Sequence, residues 1–368
     1  MTITFFNGGK LTLRVLFMKV GLAAFTLLTL PSVCFSQLIS TRNDSLIREG
    51  IRLSIEQSYP KAISIFSKMQ VEMPGNPTGY FFHSAVLQTQ MMDYEIYDKE
   101  AEFLALVKKT IQLSQNHIRY TNKDPWAYFF LGGGYGYLAF YQGKQNKLME
   151  AFKTSRNSMK ALEKTLKNDS TLYDLYFGLG TYKYYRSKLS RYFTWLPFVG
   201  NERKQGIEMI KTAMQKSKYS RYSAMSGLCW IYIEEENYKE GFEIVKKALE
   251  EFPQSRIFLW CAAKTAKKLE LWDEAAGYYE KILLSLKTEN VLSPYNEIIC
   301  RVNLYEIYAK LEKFQETEEQ CQKILVVNLN KADQKRLSKK FKTTQKSCRD
   351  FSRETALRHR VYIKEVPN

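Results

Sequence analysis

The side chains in this sequence best suited to chemistry are three histidines and six cysteines. His83, His117 and His359 lie far apart and make no metal-ligand spacing, and no Ser-His-Asp or Cys-His set follows from any motif. Apart from Cys34 near the N-terminus, the cysteines are Cys229, Cys261, Cys300, Cys321 and Cys348. Five thiols with no close pair suggest neither a disulfide framework nor a zinc site. Buried structural thiols are expected, with a Cys229–Cys261 bridge left open. The run Gly132-Gly133-Gly134-Tyr135-Gly136 invites a phosphate cradle, but no Lys-Ser or Lys-Thr follows it and no strand precedes it. Four glycines in one helix cost roughly 1 kcal/mol each against alanine, so close approach of a neighbouring helix is the better account. The acids are spread along helix faces, as in Glu234-Glu235-Glu236, where helix ends and solvation explain them. Catalysis needs polar groups converging in a pocket, and nothing here indicates one. The chain reads as a non-enzyme, with no catalytic residue, metal, cofactor or small-molecule substrate.

The elements that carry these residues are helices. With 45% hydrophobic, 14% aromatic and 25% charged residues in 368, a disordered or collagen-like chain is excluded. Met18-Lys19 opens a positive region, and Val20 to Leu30 is an apolar run of secretory-signal length, broken by Pro31. Cys34 and Ser36 suit a signal peptidase and leave Gln37 as the mature N-terminus, so 1–36 reads as a signal peptide. Residues 1–17 then look like an upstream extension from a misassigned start. An uncleaved anchor is the alternative, although the run falls well short of the roughly twenty residues a spanning helix needs. A lipidated Cys34 would require a very small residue where Val33 stands. Cleavage removes Lys10, Arg14 and Lys19 and no acid, lowering the net charge from +17 to +14. From Lys331 to Asn368 twelve Lys or Arg face four Asp or Glu. Such basic patches favour nucleic acid, anionic lipid or acidic protein, and export makes nucleic acid the least suitable.

Within 222–255, Leu228 and Tyr232 share one face of a first helix, Asn237-Tyr238 makes a turn, and Gly241, Val245 and Ala248 share a face of a second helix that Pro253 ends. Thirty-four residues later Ala262, Ala275, Tyr279 and Ile282 take the same places. Gly50, Ala62, Phe66 and Pro74 repeat the spacing upstream, and Leu304, Tyr308, Thr317, Cys321 and Ile324 repeat it downstream. This period resembles the tetratricopeptide repeat family, closely at 43–76, 222–255 and 256–289, fairly at 298–331 and in degenerate form between 77 and 219. The resemblance implies an all-α fold: a solenoid of about seven antiparallel helix pairs over 37–330, wound as a right-handed superhelix. Basic capping helices would close it over 331–368.

In that family the first helices line a concave groove. Carrying its groove positions onto the two best repeats gives Ser226 and Trp230 in one, and Trp260, Lys264 and Lys267 in the next. Such a set suits a protein or peptide partner with an acidic segment and an apolar anchor; the alternative is that both tryptophans fill interhelical space. Between two degenerate helices lies an insertion, 186–204, in which Arg186, Lys188 and Arg191 flank Trp195-Leu196-Pro197-Phe198. Paired glycines, this Trp-Leu-Pro-Phe segment and Gly200-Asn201-Glu202-Arg203 resemble the middle of the inclusion-body clearance family of tetratricopeptide proteins. A signal ending before Gln37 resembles exported proteins of the Bacteroidetes type. The functional expectation is a scaffold in the periplasm or envelope of a gram-negative bacterium. The alternative is a peripheral protein resting its insertion and basic tail on an anionic membrane, with Trp195 and Phe198 dipping into the interface.

Overall fold

Ser40, Asn76, Asp124 and Ser293 each accept a backbone N–H from the turn that follows, and the last three precede a proline at the first helical position. The side-chain oxygen satisfies an amide that the helix leaves unpaired, and proline lacks the donor that would be orphaned there. These caps start four of the seven first helices. The computed structural model describes residues 38–190 and 200–365, with side chains except at 338–340 and 354–365. Residues 1–36, expected to be a signal peptide, and Arg191, Trp195 and Phe198 lie outside the described residues.

Among the described residues, fourteen helices form seven antiparallel pairs. The first four pairs are α1 (Thr41–Ile55) with α2 (Tyr59–Glu72), α3 (Pro77–Tyr94) with α4 (Glu100–Tyr120), α5 (Pro125–Lys144) with α6 (Leu148–Asn168), and α7 (Leu175–Leu189) with α8 (Arg203–Lys216). The remaining pairs are α9 (Arg221–Glu234) with α10 (Tyr238–Glu251), α11 (Arg256–Lys268) with α12 (Trp272–Thr288), and α13 (Pro294–Lys310) with α14 (Phe314–Val326). A long α15 (Lys331–Glu365) follows. The six intra-pair turns described throughout each hold one residue in the left-handed region: Gln57, Glu95, Asn146, Glu236, Glu270 and Glu312, with φ between 54° and 61°. That conformation ends one helix and lets the next fold back along it. Among the described residues no helix is long and apolar enough to cross a membrane.

Glycines set the closest approaches. A Cβ on Gly132 would meet Leu162 of α6 at 2.7 Å, and one on Gly133 would meet the Phe81 ring of α3 at 2.5 Å. The Gly132 carbonyl also accepts a 2.7 Å bond from Ser158. The glycine run is therefore a packing surface, as its helical setting implied. Between α7 and α8 the contact is backbone on backbone: a Cβ on Gly206 would sit 2.6 Å from the Gly180 carbonyl oxygen. Gly206→Ala is expected to lower stability by about 1–3 kcal/mol in urea unfolding, since neither backbone can yield cheaply. Gly143→Ala, where a Cβ meets nothing within 4 Å, should instead gain about 0.5–1 kcal/mol.

The array turns back so that its first two pairs touch pairs five to seven. Tyr219, just ahead of α9, lodges between the rings of Phe82 and Trp126, with centroids 5.6 Å away in each case. Its hydroxyl donates to Asp44 at 2.5 Å. Ile55 joins Met225, Ala248 and Phe258 in one buried cluster. At the start of α11, Arg256 is fully buried and donates from Nη2 to Asp93 at 2.6 Å and to Glu289 at 2.9 Å. Tyr59 donates to the same Asp93 carboxylate at 2.9 Å, and Asn296 to the Asp93 carbonyl at 2.6 Å. Burial works against the Arg256 charge, but the bonds it donates to Asp93 and Glu289 more than offset it and hold the guanidinium above its ordinary pKa.

One cysteine expectation is corrected here, and one left open is decided. Cys321 of α14 and Cys348 of α15 form a disulfide, with Cα atoms 5.0 Å apart. Helix α15 lies against α13 and α14 through Phe341, Ile298, Val302 and Ile324, which brings together thiols 27 residues apart in sequence. Cys229, Cys261 and Cys300 are buried free thiols, so no Cys229–Cys261 bridge is present.

Candidate partner-binding site

Ser226 and Trp230 stand four residues apart on α9, and Trp260, Lys264 and Lys267 follow at steps of four and three on α11. Each set therefore shares a helix face. Packing of α9 beside α11 brings the two faces together. The Lys264 ammonium lies 5.2 Å above the centre of the Trp230 ring, where the ring's negative face attracts a cation. Lys264 is exposed, and no carboxylate pairs with it among the described residues. Trp230 and Trp260 are half-buried, with one side of each ring on the core formed by Leu259, Cys261 and Tyr279. Trp260 meets Tyr279 edge to face at 6.2 Å. Ser226 and Cys229 both approach the Cys261 thiol, whose pKa burial pushes well up, so that it stays protonated and unreactive.

The structure thus assembles Ser226, Trp230, Trp260 and Lys264 into one surface, in which the tryptophans both fill interhelical space and show an edge. Lys267 departs from that surface. It donates to Asn303 at 2.7 Å and pairs with Glu306, so its charge is spent on α13. Among the described residues no group of His, Cys, Asp or Glu is arranged to hold a metal ion.

No family model matches the sequence, and no curated protein matches it by sequence. Solved structures do match. The Cut9 and Hcn1 hetero-tetramer of the APC/C aligns with 80% of this chain and 49% of its own, at 17% identity and a TM-score of 0.50. The C-terminal part of a repeat protein from Cytophaga hutchinsonii aligns with 78% of this chain and 97% of its own (16% identity, TM-score 0.42). A thermophilic repeat protein of Thermus thermophilus aligns with 61% and 97% (17% identity, TM-score 0.39). The chain has the tetratricopeptide-repeat fold.

Within this tetratricopeptide array the basic residues expected on an insertion belong elsewhere. Helix α7 runs to Leu189, so Arg186 and Lys188 stand on its last turn and not on a loop. Arg186 donates to Glu202 at 2.9 Å, Lys183 meets the same carboxylate at 2.9 Å, and Lys188 pairs with Glu234. Arg203 donates to Glu235 at 3.0 Å, and the buried Tyr184 donates to Glu235 at 2.8 Å. Burial opposes ionisation of Glu202, yet Lys183 and Arg186 hold its carboxyl below its ordinary pKa. Glu234 and Glu235 are therefore partners of α7 and α8, and not simply solvated acids. Arg186 and Lys188 are already neutralised, which leaves this stretch with fewer cations to offer a lipid surface.

A second departure concerns the groove. Tyr219, Met225 and Phe258 pack against Phe82, Trp126 and Ile55, so the chain itself covers this side of the first helix pairs. The residues responsible were missed from sequence. The available signal was a charge on an otherwise apolar helix face, Asp93 on α3 and Arg256 opening α11.

Proposed function

We propose that this protein is a non-catalytic scaffold of the bacterial cell envelope, which captures a protein partner on the surface formed by Ser226, Trp230, Trp260 and Lys264. The supporting observation is the exposed Lys264 ammonium above the half-buried Trp230 ring, without a carboxylate of its own. A cation beside an aromatic edge suits an acidic segment carrying one apolar anchor, and tryptophan is among the commonest interface hot spots. A tetratricopeptide fold alone does not fix a ligand, so the reading rests on these side chains. Placement outside the cytoplasm is supported by the signal-like 18–36 segment and by the Cys321–Cys348 disulfide, because such bonds persist in oxidising compartments.

The test is crosslinking capture from native cells with tagged mature protein. Lys264→Glu is expected to reduce recovery of the dominant partner about tenfold, because reversing one interfacial charge opposes an acidic ligand by roughly 1.4 kcal/mol. Lys239→Glu, an exposed change on α10, should leave recovery unchanged. Equal recovery with both variants would remove the partner from this surface.

A further inference from the structure

Helix α6 carries Lys153, Arg156, Lys160, Lys164 and Lys167, at steps of three, four, four and three. That spacing follows the helical period, so the five cations form one row about 21 Å long on the solvent face. All five are exposed, and none pairs with a carboxylate among the described residues. The contrast with α7 and α8 is informative, since Lys183, Arg186, Lys188 and Arg203 all have glutamate partners. Beside the row runs a trough of about 450 Å³, walled by Tyr128, Leu131 and Tyr135 of α5 and by Lys160, Lys164 and Lys167 of α6. One acid, Glu163, stands at its edge. The Tyr135 hydroxyl accepts a 3.2 Å bond from Gln115 and keeps its own proton to donate.

We propose that this face of α6, with the trough it shares with α5, docks an acidic α-helix of a protein partner. Charge complementarity sets the sign of the occupant, and spacing sets its conformation. Cations recurring about every 5.4 Å match acids placed every three or four residues on a second helix. An extended strand brings same-face side chains only about every 6.7 Å and falls out of step along the row. The concave wall supplies what a flat lipid surface would not use: Leu131 and Ala161 receive an apolar side chain lying between the acidic turns.

The test uses the full chain and a fluorescent helical peptide of about 18 residues, long enough to span the row, with Glu along one face. A scrambled peptide of the same composition and vesicles of phosphatidylglycerol serve as comparison probes. Binding is read by anisotropy for the peptides and by co-sedimentation for the vesicles. Joint Lys160→Glu, Lys164→Glu and Lys167→Glu replacement should weaken the patterned peptide about a hundredfold, as three attractions become repulsions. The corresponding Gln replacements should weaken it about tenfold, and they carry the test if the reversed variant melts early. The scrambled peptide should bind at least about tenfold less tightly than the patterned one. Equal binding of both peptides, no binding of the patterned one, or insensitivity to all three lysines would overturn the proposal. Vesicle binding that needs these lysines, without peptide binding, would reassign the row to a membrane surface.

Discussion

Arg256→Ala is expected to remove about 3–5 kcal/mol of stability, because it leaves a buried carboxylate without its counter-charge. Asp93 is bonded by Arg256 through both oxygens and lies in the interior with Tyr59 and the Tyr94 ring around it. Burial raises the Asp93 pKa, and the guanidinium opposes that rise. Without the guanidinium, the folded Asp93 pKa lies further above its unfolded value, so the folded variant binds the extra proton as pH falls. The stability gap between variant and wild type should therefore narrow toward acid pH. Urea unfolding followed by circular dichroism at several pH values measures both effects. Replacing Arg256 and Asp93 together with leucine should recover much of the loss, since an apolar pair often substitutes well for a buried ion pair. A constant deficit at every pH would show that Arg256 acts by packing and not by charge.

Tyr219→Ala should cost a similar amount, about 3–5 kcal/mol, for a different reason. The ring sits between Phe82 and Trp126 and is almost wholly buried. Its removal opens a cavity among rings that cannot relax together to fill it. Tyr219→Phe removes only the bond to Asp44 and should cost about 1 kcal/mol. The ratio of the two losses, read from unfolding midpoints, separates the ring from the hydroxyl. A loss for phenylalanine as large as for alanine would contradict the packing account.

Periodicity made the helix pairs legible. Leu228, Val245, Ala262 and Ile282 fall where their spacing placed them, all in the interior. The glycine run was legible for the same reason, because four glycines inside a helical stretch imply a close neighbour. What periodicity cannot carry is a contact between repeats far apart. Asp93 and Arg256 are separated by 163 residues, and nothing local to either names the other. At the beginning of a helix an arginine reads as a solvated residue, whereas here it is completely buried. Glu234 and Glu235 likewise resemble ordinary helix-end acids until α7 and α8 bring their cations alongside. The Cys321–Cys348 pair depended on how α15 lies against α14, which composition does not determine.

The way the array turns back on itself also fixes an order in time. Neighbouring helix pairs form from local contacts and need little chain searching, whereas the closing contacts wait for distant segments. Ile55 and Phe82 obtain their full cover only when Tyr219, Met225 and Phe258 exist. The chain emerges amino terminus first, and about 160 residues separate the end of α3 at Tyr94 from Phe258. Throughout that interval the amino-terminal helices carry an uncovered apolar flank, the kind of surface on which holding chaperones act.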